Sequence, residues 1–439
     1  MRIFTVIAFL LLCTSAFAQN TKRITFDEAC TLALTNSKQL AISKEKMKEA
    51  RARLSQAKDR STPEVKASAT YLRLNTPQVK MDGTSSGGSS DGSPLAAFAN
   101  LHDIGLLQLS LSQPIFAGFK IHHAKVMEQY LTDAATYDTA TTHSKVLLNT
   151  AKAVYQYYEL QQTSKAINEN IKQAEQRVAE FRNLEAQGIL SRNDRLKAEL
   201  QLNNIELART EINNNLALAE FSLNVLLGFD DNTSIELDTT GMFVKAPVTT
   251  WEECLQHGLS SRSELRSAQL KVNASETGVH IAKASRYPTL GLSAGYINAY
   301  VPNVVTVNNA LNAGLSLQYN LSNVFHSKHQ VQEASAKYRE AEIQQQITND
   351  EIRKEIKKNF LGYQKSLEKI TLAQQAVEQA QENYTINQNK YKAGLVTLSD
   401  YLEADVTLLQ AQINFATAEA ESMVAYYELL ESTGSINQQ

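Results

Sequence analysis

The amino-acid sequence predicts a mostly α-helical protein with four membrane-inserted β-strands in each chain. Three observations lead to this fold class. The chain repeats itself at fixed offsets, and its strands alternate apolar and polar residues over about ten positions. Each repeat also contains a long helix with nearly heptad apolar spacing, which is broken once at a glycine. Together these features predict two copies of one helix–strand–strand–helix–turn–helix unit.

Residues 1–18 have the pattern of a secretory signal peptide, with Arg2 before a short apolar core and Ala16 to Ala18 at the cleavage site. The mature chain is therefore expected in an oxidising compartment. There a single disulfide between Cys30 and Cys254 is possible. The formal net charge of -3 over 439 residues, with lysine and arginine evenly spread, argues against a nucleic-acid partner.

The repeat divides the mature chain into a first copy (residues 19–228), a crossover segment (229–250), a second copy (251–434) and a C-terminal tail (435–439). Near the start of each copy an offset of 225 residues pairs Tyr71 with Tyr296. Further along, an offset of 206 pairs Gly188 with Gly394. The offset falls from 225 to 206 because the first copy has a longer Gly/Ser-rich loop, within residues 76–103.

Each copy opens with a helix, predicted from Phe26 to Thr62 and from Trp251 to Tyr287, and a proline follows each helix. Four strands come next, at about 64–74, 104–114, 289–300 and 310–321, with a short loop at 302–309 between the last two. Alternation of this length is typical of outer-membrane strands, and the alternative is a half-buried sheet in a soluble protein. Four strands cannot close a membrane barrel, so the chain must oligomerise; a dimer and a trimer both remain open at this point.

The long helices are predicted over about residues 118–187 and 324–393, each on the order of 100 Å in length. A shorter helix follows each of them, the first over about residues 191–227. The turns between long and short helices share the pattern Gly-x5-Asp-x-Leu-x-Ala. Its residues are Gly188, Asp194, Leu196 and Ala198 in the first tip, and Gly394, Asp400, Leu402 and Ala404 in the second.

The twofold repeat, the proline-ended helices and these tips resemble the TolC family of outer-membrane efflux proteins, over about residues 24–434. The resemblance implies a homotrimer in the outer membrane of a Gram-negative bacterium. It implies a 12-stranded β-barrel, four strands per chain, that is continued by a long α-helical periplasmic barrel. It also implies a periplasmic adaptor (membrane fusion) protein and an inner-membrane transporter of the RND or ABC type as partners.

The tips are the candidate functional site. Asp400 and Glu403 lie three residues apart on one helical face and are expected to form acidic rings at the periplasmic entrance of a trimer. A helix cap at Asp400 is the alternative, and it is compatible with the ring. The resemblance adds Asp194 and Tyr391 as residues that tie the entrance shut, although the basic residue of some members is replaced here by Val396. The residues expected to contact the adaptor at the tip turns are Gly188, Leu190, Gly394 and Val396.

The sequence shows no catalytic motif and predicts no cofactor and no bound metal. His123, His326 and His329 are interpreted as polar residues near the strand–helix junction rather than as metal ligands. The predicted function is a passive exit duct for small molecules such as drugs, driven by an inner-membrane transporter. Two alternatives are a duct for type I protein secretion and a periplasmic coiled-coil scaffold without a pore.

Overall fold

The computed structural model describes residues 21–75, 103–243, 250–302 and 305–438. The predicted signal peptide, nearly all of the predicted Gly/Ser-rich loop and part of the crossover segment lie outside the described residues. The described chain forms two compact units. The helical unit comprises residues 21–44, 137–265 and 347–438, and the strand unit comprises residues 45–136 and 266–346.

Helices account for most of the described residues, which confirms the mostly helical prediction. They are α1 (Phe26–Asn36), α2 (Lys38–Asp59), α3 (Lys120–Ala186), α4 (Arg192–Leu227), α5 (Trp251–Ser261), α6 (Ser263–Ala284), α7 (Leu321–Lys392) and α8 (Leu398–Ser432). The strands are β1 (Lys22–Ile24), β2 (Glu64–Arg73), β3 (Asp103–Ala117), β4 (Ile235–Leu237), β5 (Thr289–Val301) and β6 (Val305–Gln318). Within the described part of the chain, no helix has a stretch long and apolar enough to cross a membrane.

The opening helix of each copy begins with the same capping box. Thr25 accepts a hydrogen bond from the backbone of Glu28 (3.2 Å), and the Glu28 carboxylate accepts one from the Thr25 amide (2.9 Å). Thr250 and Glu253, at the offset of 225, form the same pair of bonds at α5. Two orphan amides of each helix start are thereby satisfied, which explains why both helices begin where the sequence places them.

Each opening helix is split in two, which corrects the prediction of one continuous helix per copy. The breaks fall at Ser37 and Arg262, where the backbone becomes extended. Arg262 is buried, and its guanidinium donates to Glu264, Glu355 and Glu431. Helix propensity gave no warning of this break, because Glu355 and Glu431 come from other parts of the chain.

The strand unit contains one antiparallel sheet in the order β2-β3-β5-β6. Its register aligns Ala67 with Leu109, Leu109 with Tyr296 and Tyr296 with Leu311, so the apolar residues share one face as predicted. Strands β2 and β6 are the outer strands, and neither has a second partner among the described residues.

The predicted ends of the last strand were wrong by several residues. Strand β6 begins at Val305, which pairs with Val301 at the end of β5, so the predicted loop at 302–309 is shorter than expected. The strand ends at Gln318, and Leu321 already belongs to α7. Alternation continues through Tyr319 and Leu321, so the pattern alone could not mark the change from strand to helix.

The helical unit has its main core around Tyr155, Leu227 and Ile356, none of which is exposed. Beside this core β1 and β4 form a short parallel pair that the sequence analysis did not predict. The Tyr157 hydroxyl, from α3, donates to the backbone carbonyl of Ile235 in β4 at 2.9 Å. Three-residue strands carry too little alternation to be recognised in a sequence.

Two helical hairpins follow from the repeat. The first hairpin is α3, its tip turn and α4, and the second hairpin is α7, its tip turn and α8. Arg195 of α4 pairs with Glu185 of α3 across the first hairpin. Lys369 of α7 pairs with Glu421 of α8 across the second. The predicted tips therefore exist as turns between paired helices.

Candidate functional site

Both tip turns have the same backbone structure, built around a glycine with positive φ. Gly188 and Gly394 each have φ of 72°. The amide of Gly188 donates to Glu185 and that of Ile189 donates to Leu184, both at 2.9 Å. The second tip repeats these bonds at Gly394 and the residue after it. This is the Schellman ending of a helix, in which the left-handed position favours glycine.

Each shorter helix then starts with a hydroxyl cap and an acidic third residue. Thr397 accepts from the amide of Asp400 (3.2 Å), and the Asp400 carboxylate accepts from the Thr397 amide (2.9 Å) and hydroxyl (2.6 Å). These bonds, from the side chain and the backbone of Thr397, lower the pKa of Asp400 below its ordinary value. In the first tip the Ser191 hydroxyl donates to Asp194 at 2.7 Å. Asp400 is thus a helix-capping residue within the single chain.

Behind the turns an apolar cluster joins the two hairpins. Its buried members are Val178, Phe181, Ala198, Leu398, Tyr401 and Leu402. Tyr391 packs at the edge of this cluster, with its ring stacked on Tyr401 at 5.4 Å between centroids and tilted against Phe181 at 6.0 Å. Burial first, and then the charges of Asp194 and Glu180, raise the pKa of Tyr391. Asp194 therefore lies near enough for its charge to act on the Tyr391 hydroxyl.

The predicted tip residues differ in exposure. Asp400, Glu403 and the two turn glycines are exposed, whereas Asp194 is half-buried. The expected adaptor-contact residues Leu190 and Val396 are also half-buried, and Leu190 packs against the tip cluster. The neighbouring Ile189 and Leu395 are the apolar residues that project, with 70% and 73% of their surface exposed. The tip pattern in the sequence does not single these two residues out.

The structure also brings together a buried polar group that the sequence analysis missed. The guanidinium of Arg177 (α3) donates to the carboxylate of Asp405 (α8) at 2.9 Å, and only 6% and 1% of the two side chains are exposed. The Asn170 amide donates to the other carboxylate oxygen at 3.1 Å. The Arg177 guanidinium lies over the Tyr401 ring at 4.7 Å, in cation–π geometry.

Asp405 could have been noticed in the sequence. It lies in an apolar stripe of α8, four residues after Tyr401 and three before Leu408. An acidic residue in such a stripe signals a buried partner, because an unpaired buried carboxylate is strongly unfavourable. Burial alone would lower the pKa of Arg177, but the hydrogen bond and charge of Asp405 raise it above its ordinary value. The Asp405 carboxylate thus stabilises the charged form of the Arg177 guanidinium.

Beside this pair a cleft of about 740 Å³ lies between α3 and the second hairpin. Its polar lining includes Arg177, Glu180, Gln388 and Lys392. Between α4 and α8 the ammonium of Lys197 donates to the hydroxyl of Ser399 at 3.3 Å, in an exposed contact. The cleft and the projecting tip residues together form the exposed surface at this end of the helical unit.

The cysteines and histidines noted in the sequence are also located by the structure. Cys30 and Cys254 are both free, so the disulfide left open by the sequence does not form. His123 stacks on His280 rather than on His326 or His329, with 5.2 Å between ring centroids. Among the described residues, no three His, Cys, Asp or Glu side chains are grouped so that they could hold a metal ion.

Comparison with known proteins shows similarity over nearly the whole mature chain. The profile of the family described as "Outer membrane efflux protein" matches residues 29–229 and 254–435. The outer membrane efflux protein BepC of Brucella suis is 20% identical over 332 residues, which cover 75% of this chain and 72% of that protein. The pyoverdine export outer membrane protein OpmQ of Pseudomonas aeruginosa is 27% identical, over 39% of this chain and 37% of that protein.

Solved structures agree in fold. The outer membrane protein VceC of Vibrio cholerae superposes with a TM-score of 0.76 and 21% sequence identity. The match covers 93% of this chain and 96% of VceC. At this level of identity the likeness concerns the fold.

Proposed function

Because the chain belongs to the outer membrane efflux protein family, we propose that it is the passive exit duct of a tripartite efflux system. The family is one of outer-membrane efflux proteins rather than of enzymes, and the chain is accordingly an outer-membrane protein. The relatives are named for efflux and for pyoverdine export, and these names favour a small-molecule cargo over type I protein secretion.

The observation that supports the proposal most directly is the combination of a four-stranded sheet that does not close on itself with two helical hairpins of similar structure. Among the described residues, strands β2 and β6 have no partner on their outer edges, and the apolar face of β6 is exposed at Leu311, Leu315 and Leu317. Free edges are not tolerated in lipid, so the sheet must close with copies of itself. We propose a homotrimer, in which four strands per chain give a 12-stranded barrel and the hairpins continue it into the periplasm.

We place the entrance of the duct at the tips. In a trimer, Asp400 and Glu403 of three chains would form two acidic rings, which favour cations and repel anions. The family resemblance favours Asp194 and Tyr391 as residues that help to hold the entrance shut in this trimer. Energy for transport would come from an inner-membrane transporter, of the RND or ABC type, since nothing proposed for the duct itself consumes energy.

The proposed adaptor docks on the tip turns, at Gly188, Leu190, Gly394 and Val396. The exposed Ile189 and Leu395 extend this surface and supply apolar area that the single chain leaves uncovered. Projecting apolar side chains at a turn are typical anchors of protein interfaces. Binding there would bias the tips toward an open arrangement if the adaptor prefers that arrangement.

Planar-bilayer conductance of the purified protein tests the proposal. The wild-type protein should form cation-preferring channels and migrate as a heat-modifiable oligomer in detergent gels. Replacing Asp400 by Asn together with Glu403 by Gln should reduce cation preference, because the charges at the narrow entrance are removed.

Glu236→Ala removes an exposed carboxylate of β4 and serves as the control, with no expected change. Absence of any conductance by the wild-type protein would favour the scaffold alternative. Export of a protein rather than of small molecules by a strain that depends on this chain would favour type I secretion.

A further inference from the structure

The four connections between helices and strands of the strand unit lie side by side at one end of the sheet. The ammonium of Lys125, in α3, donates to the hydroxyl of Ser61, just before β2, at 2.7 Å. Arg286, just before β5, donates from Nε to the hydroxyl of Ser327 in α7 at 2.9 Å. Between these contacts a stacked pair of histidines joins α3 to α6. The connections and the two adjoining turns of each helix thus form one surface, which we call the junction band and which comprises residues 52–63, 118–127, 277–288 and 319–328.

The junction band is strongly basic, although the chain as a whole is not. The full sequence has 43 lysines and arginines against 46 aspartates and glutamates. The band has a single acidic residue, Asp59, which lines a cleft with Ser316 and Gln318 on the polar face of β6. Its basic residues are Arg53, Lys58, Arg60, Lys120, Lys125, Lys283, Arg286 and Lys328. A surface with so uneven a charge attracts anions.

Large aromatic side chains are exposed in the same band. At the two central connections they are Phe119 and Tyr287, with 60% and 55% of their surface exposed. The Phe119 ring packs edge-on against Phe116 at 5.4 Å between centroids, and Phe116 pairs with Leu290 of β5. Leu290 is an even number of residues from Tyr296, so both lie on the apolar face of the sheet. Phe119 therefore extends the face that contacts lipid in the proposed barrel.

The backbone at Phe119 is strained. Gly118 and Phe119 have φ of 60° and 65°, in the left-handed region that is unfavourable for a bulky side chain. Gly118 cannot be replaced easily, because a Cβ there would lie 2.7 Å from the carbonyl oxygen of Ala284 and 2.8 Å from Cβ of Tyr287. A glycine at position 119 would relieve the strain, so the exposed ring is what the phenylalanine adds. Strained residues of this kind are concentrated at functional sites.

Two lysines lie beside this strained turn. Lys120 follows Phe119 in the chain, and Lys283 precedes Ala284, which Gly118 contacts. Each lysine is at most two residues, or about 8 Å of chain, from that contact. Both are exposed, and in the described part of the chain neither forms an ion pair with a carboxylate. Apolar rings beside unpaired ammonium groups are typical of a protein surface at the boundary between lipid and water.

A second copy of the chain does not reach this turn through strand pairing, because β3 and β5 are the two inner strands of the sheet. We propose that the two lysines and the two rings form a binding site for an anionic phospholipid of the inner leaflet. Lys120 and Lys283 bind the phosphate, while Phe119 and Tyr287 pack against the acyl chains near the headgroup. The site lies at the edge of the proposed barrel, so it rests on that proposal and adds the class of lipid that is bound.

Quenching by brominated lipids in the full-length protein tests the site. The sequence has a single tryptophan, so Trp251→Phe provides a background in which Phe119→Trp is the one indole. The protein is placed in phosphatidylcholine vesicles that contain a small fraction of brominated lipid. Brominated phosphatidylglycerol should bind more tightly at this position than brominated phosphatidylcholine, by about fivefold for each lysine at low ionic strength.

Matched charge variants separate the site from the net charge of the protein. Lys120→Gln with Lys283→Gln should reduce the preference for phosphatidylglycerol to less than about twofold. Lys66→Gln with Lys337→Gln removes the same charge from two lysines that already form ion pairs, and it should leave the preference unchanged. Equal losses in the two double variants would mean that net charge alone attracts the lipid, and would overturn the site.

A second probe, Leu315→Trp in the same background, distinguishes failure of the site from failure of the duct. Leu315 lies on the apolar face of β6, so both brominated lipids should quench it equally. Quenching at position 315 without quenching at 119 would refute the lipid site and leave the barrel standing. No quenching at either position would count against the proposed duct.

Added inorganic phosphate separates a lipid headgroup from a free anion. At the same ionic strength, phosphate and chloride should weaken the preference for phosphatidylglycerol equally, because both only screen the lysines. Loss of the preference in phosphate but not in chloride would make free phosphate the ligand and would contradict the assignment to lipid.

Discussion

Asp405 occupies a position in α8 where the neighbouring stripe residues are apolar, and its energetic role follows from that environment. Exposed ion pairs such as Lys369–Glu421 contribute at most about 1 kcal/mol, because solvent screens them and both side chains lose freedom. A buried pair differs, since removing one partner leaves the other charged and unsolvated, at a cost of about 3–5 kcal/mol. The pair therefore disfavours any arrangement of α3 and α8 in which either partner would be buried alone.

The effect of replacing a glycine at a helix end also depends on the residues around it. Gly394 and Gly228 both end helices with positive φ, of 72° and 76°. A side chain added at Gly394 would meet nothing within 4 Å. A Cβ at Gly228 would lie 2.7 Å from Cγ of Asn36, whose amide donates to the carbonyl of Leu227. A side chain would strain the backbone at both positions, but it would collide with a neighbouring residue only at Gly228.

We expect Gly394→Ala to lower the free energy of unfolding by about 1–2 kcal/mol, which is the strain of a left-handed residue with a side chain. Gly228→Ala should lower it by about 1 kcal/mol more, because Asn36 must move and its hydrogen bond is lost. Denaturant unfolding of the detergent-solubilised protein measures both changes. Equal losses for the two variants would mean that the contact with Asn36 adds nothing.

At the scale of elements, helix starts are set by local hydrogen bonds. The capping boxes of α1, α5 and α8 satisfy amides that have no partner inside the helix. Two of their acids have lowered pKa values. Asp400 is stabilised as the anion by the side chain and backbone of Thr397, and Glu253 by the backbone and side chain of Thr250.

The start of α8 should consequently loosen in acid. Because the folded pKa of Asp400 lies below the unfolded one, its contribution is complete above the unfolded pKa of about 3.9 and is lost as the pH falls through the folded value. Hydrogen exchange of residues 398–401, corrected for the intrinsic rate, should show less protection at pH 3 than at pH 6.

Asp400→Asn is the control for this effect. Its neutral amide can still accept from Thr397 but does not titrate, so the difference in protection between pH 6 and pH 3 should shrink. An undiminished difference in that variant would assign the acid effect to some other group.

At the scale of the whole molecule, the sheet has two faces with different expected surroundings. Leu315 lies on the apolar face of β6 and is 69% exposed, whereas Ser316 next to it lies on the polar face. In the proposed barrel the apolar face contacts lipid and the polar face lines water.

Leu315→Arg should therefore lower the stability of the inserted protein by about 2–4 kcal/mol if the residue lies near the bilayer midplane. Ser316→Arg should be tolerated, since the same charge would point into the water-filled interior. Folding into lipid vesicles, followed by gel mobility with and without heating, measures both. Equal tolerance of the two arginines would contradict a lipid-facing role for Leu315.

Much of this architecture could be predicted because its signals are local. The two offsets, the glycines at the tips and the alternation of the strands each depend on residues close together in the chain. The breaks at Ser37 and Arg262 could not be predicted in this way. Arg262 leaves the helix to reach Glu355 and Glu431, and no local pattern records those partners.

In the candidate site, too, some features could be predicted from local sequence and others could not. The positions of Gly188, Gly394 and Asp400 at the tips followed from turn and cap chemistry within a few residues. The exposure of Ile189 and Leu395, in contrast with Leu190 and Val396, depends on how the turn packs against the apolar cluster behind it.

By itself, the sequence determined the repeat, the element types and the location of the tips, because helix period, strand alternation and turn residues act over short range. Only the tertiary structure decided that Arg177 meets Asp405, which lies 228 residues away in the chain. Burial makes the loss of either partner costly, and burial is a property of packing rather than of any local stretch.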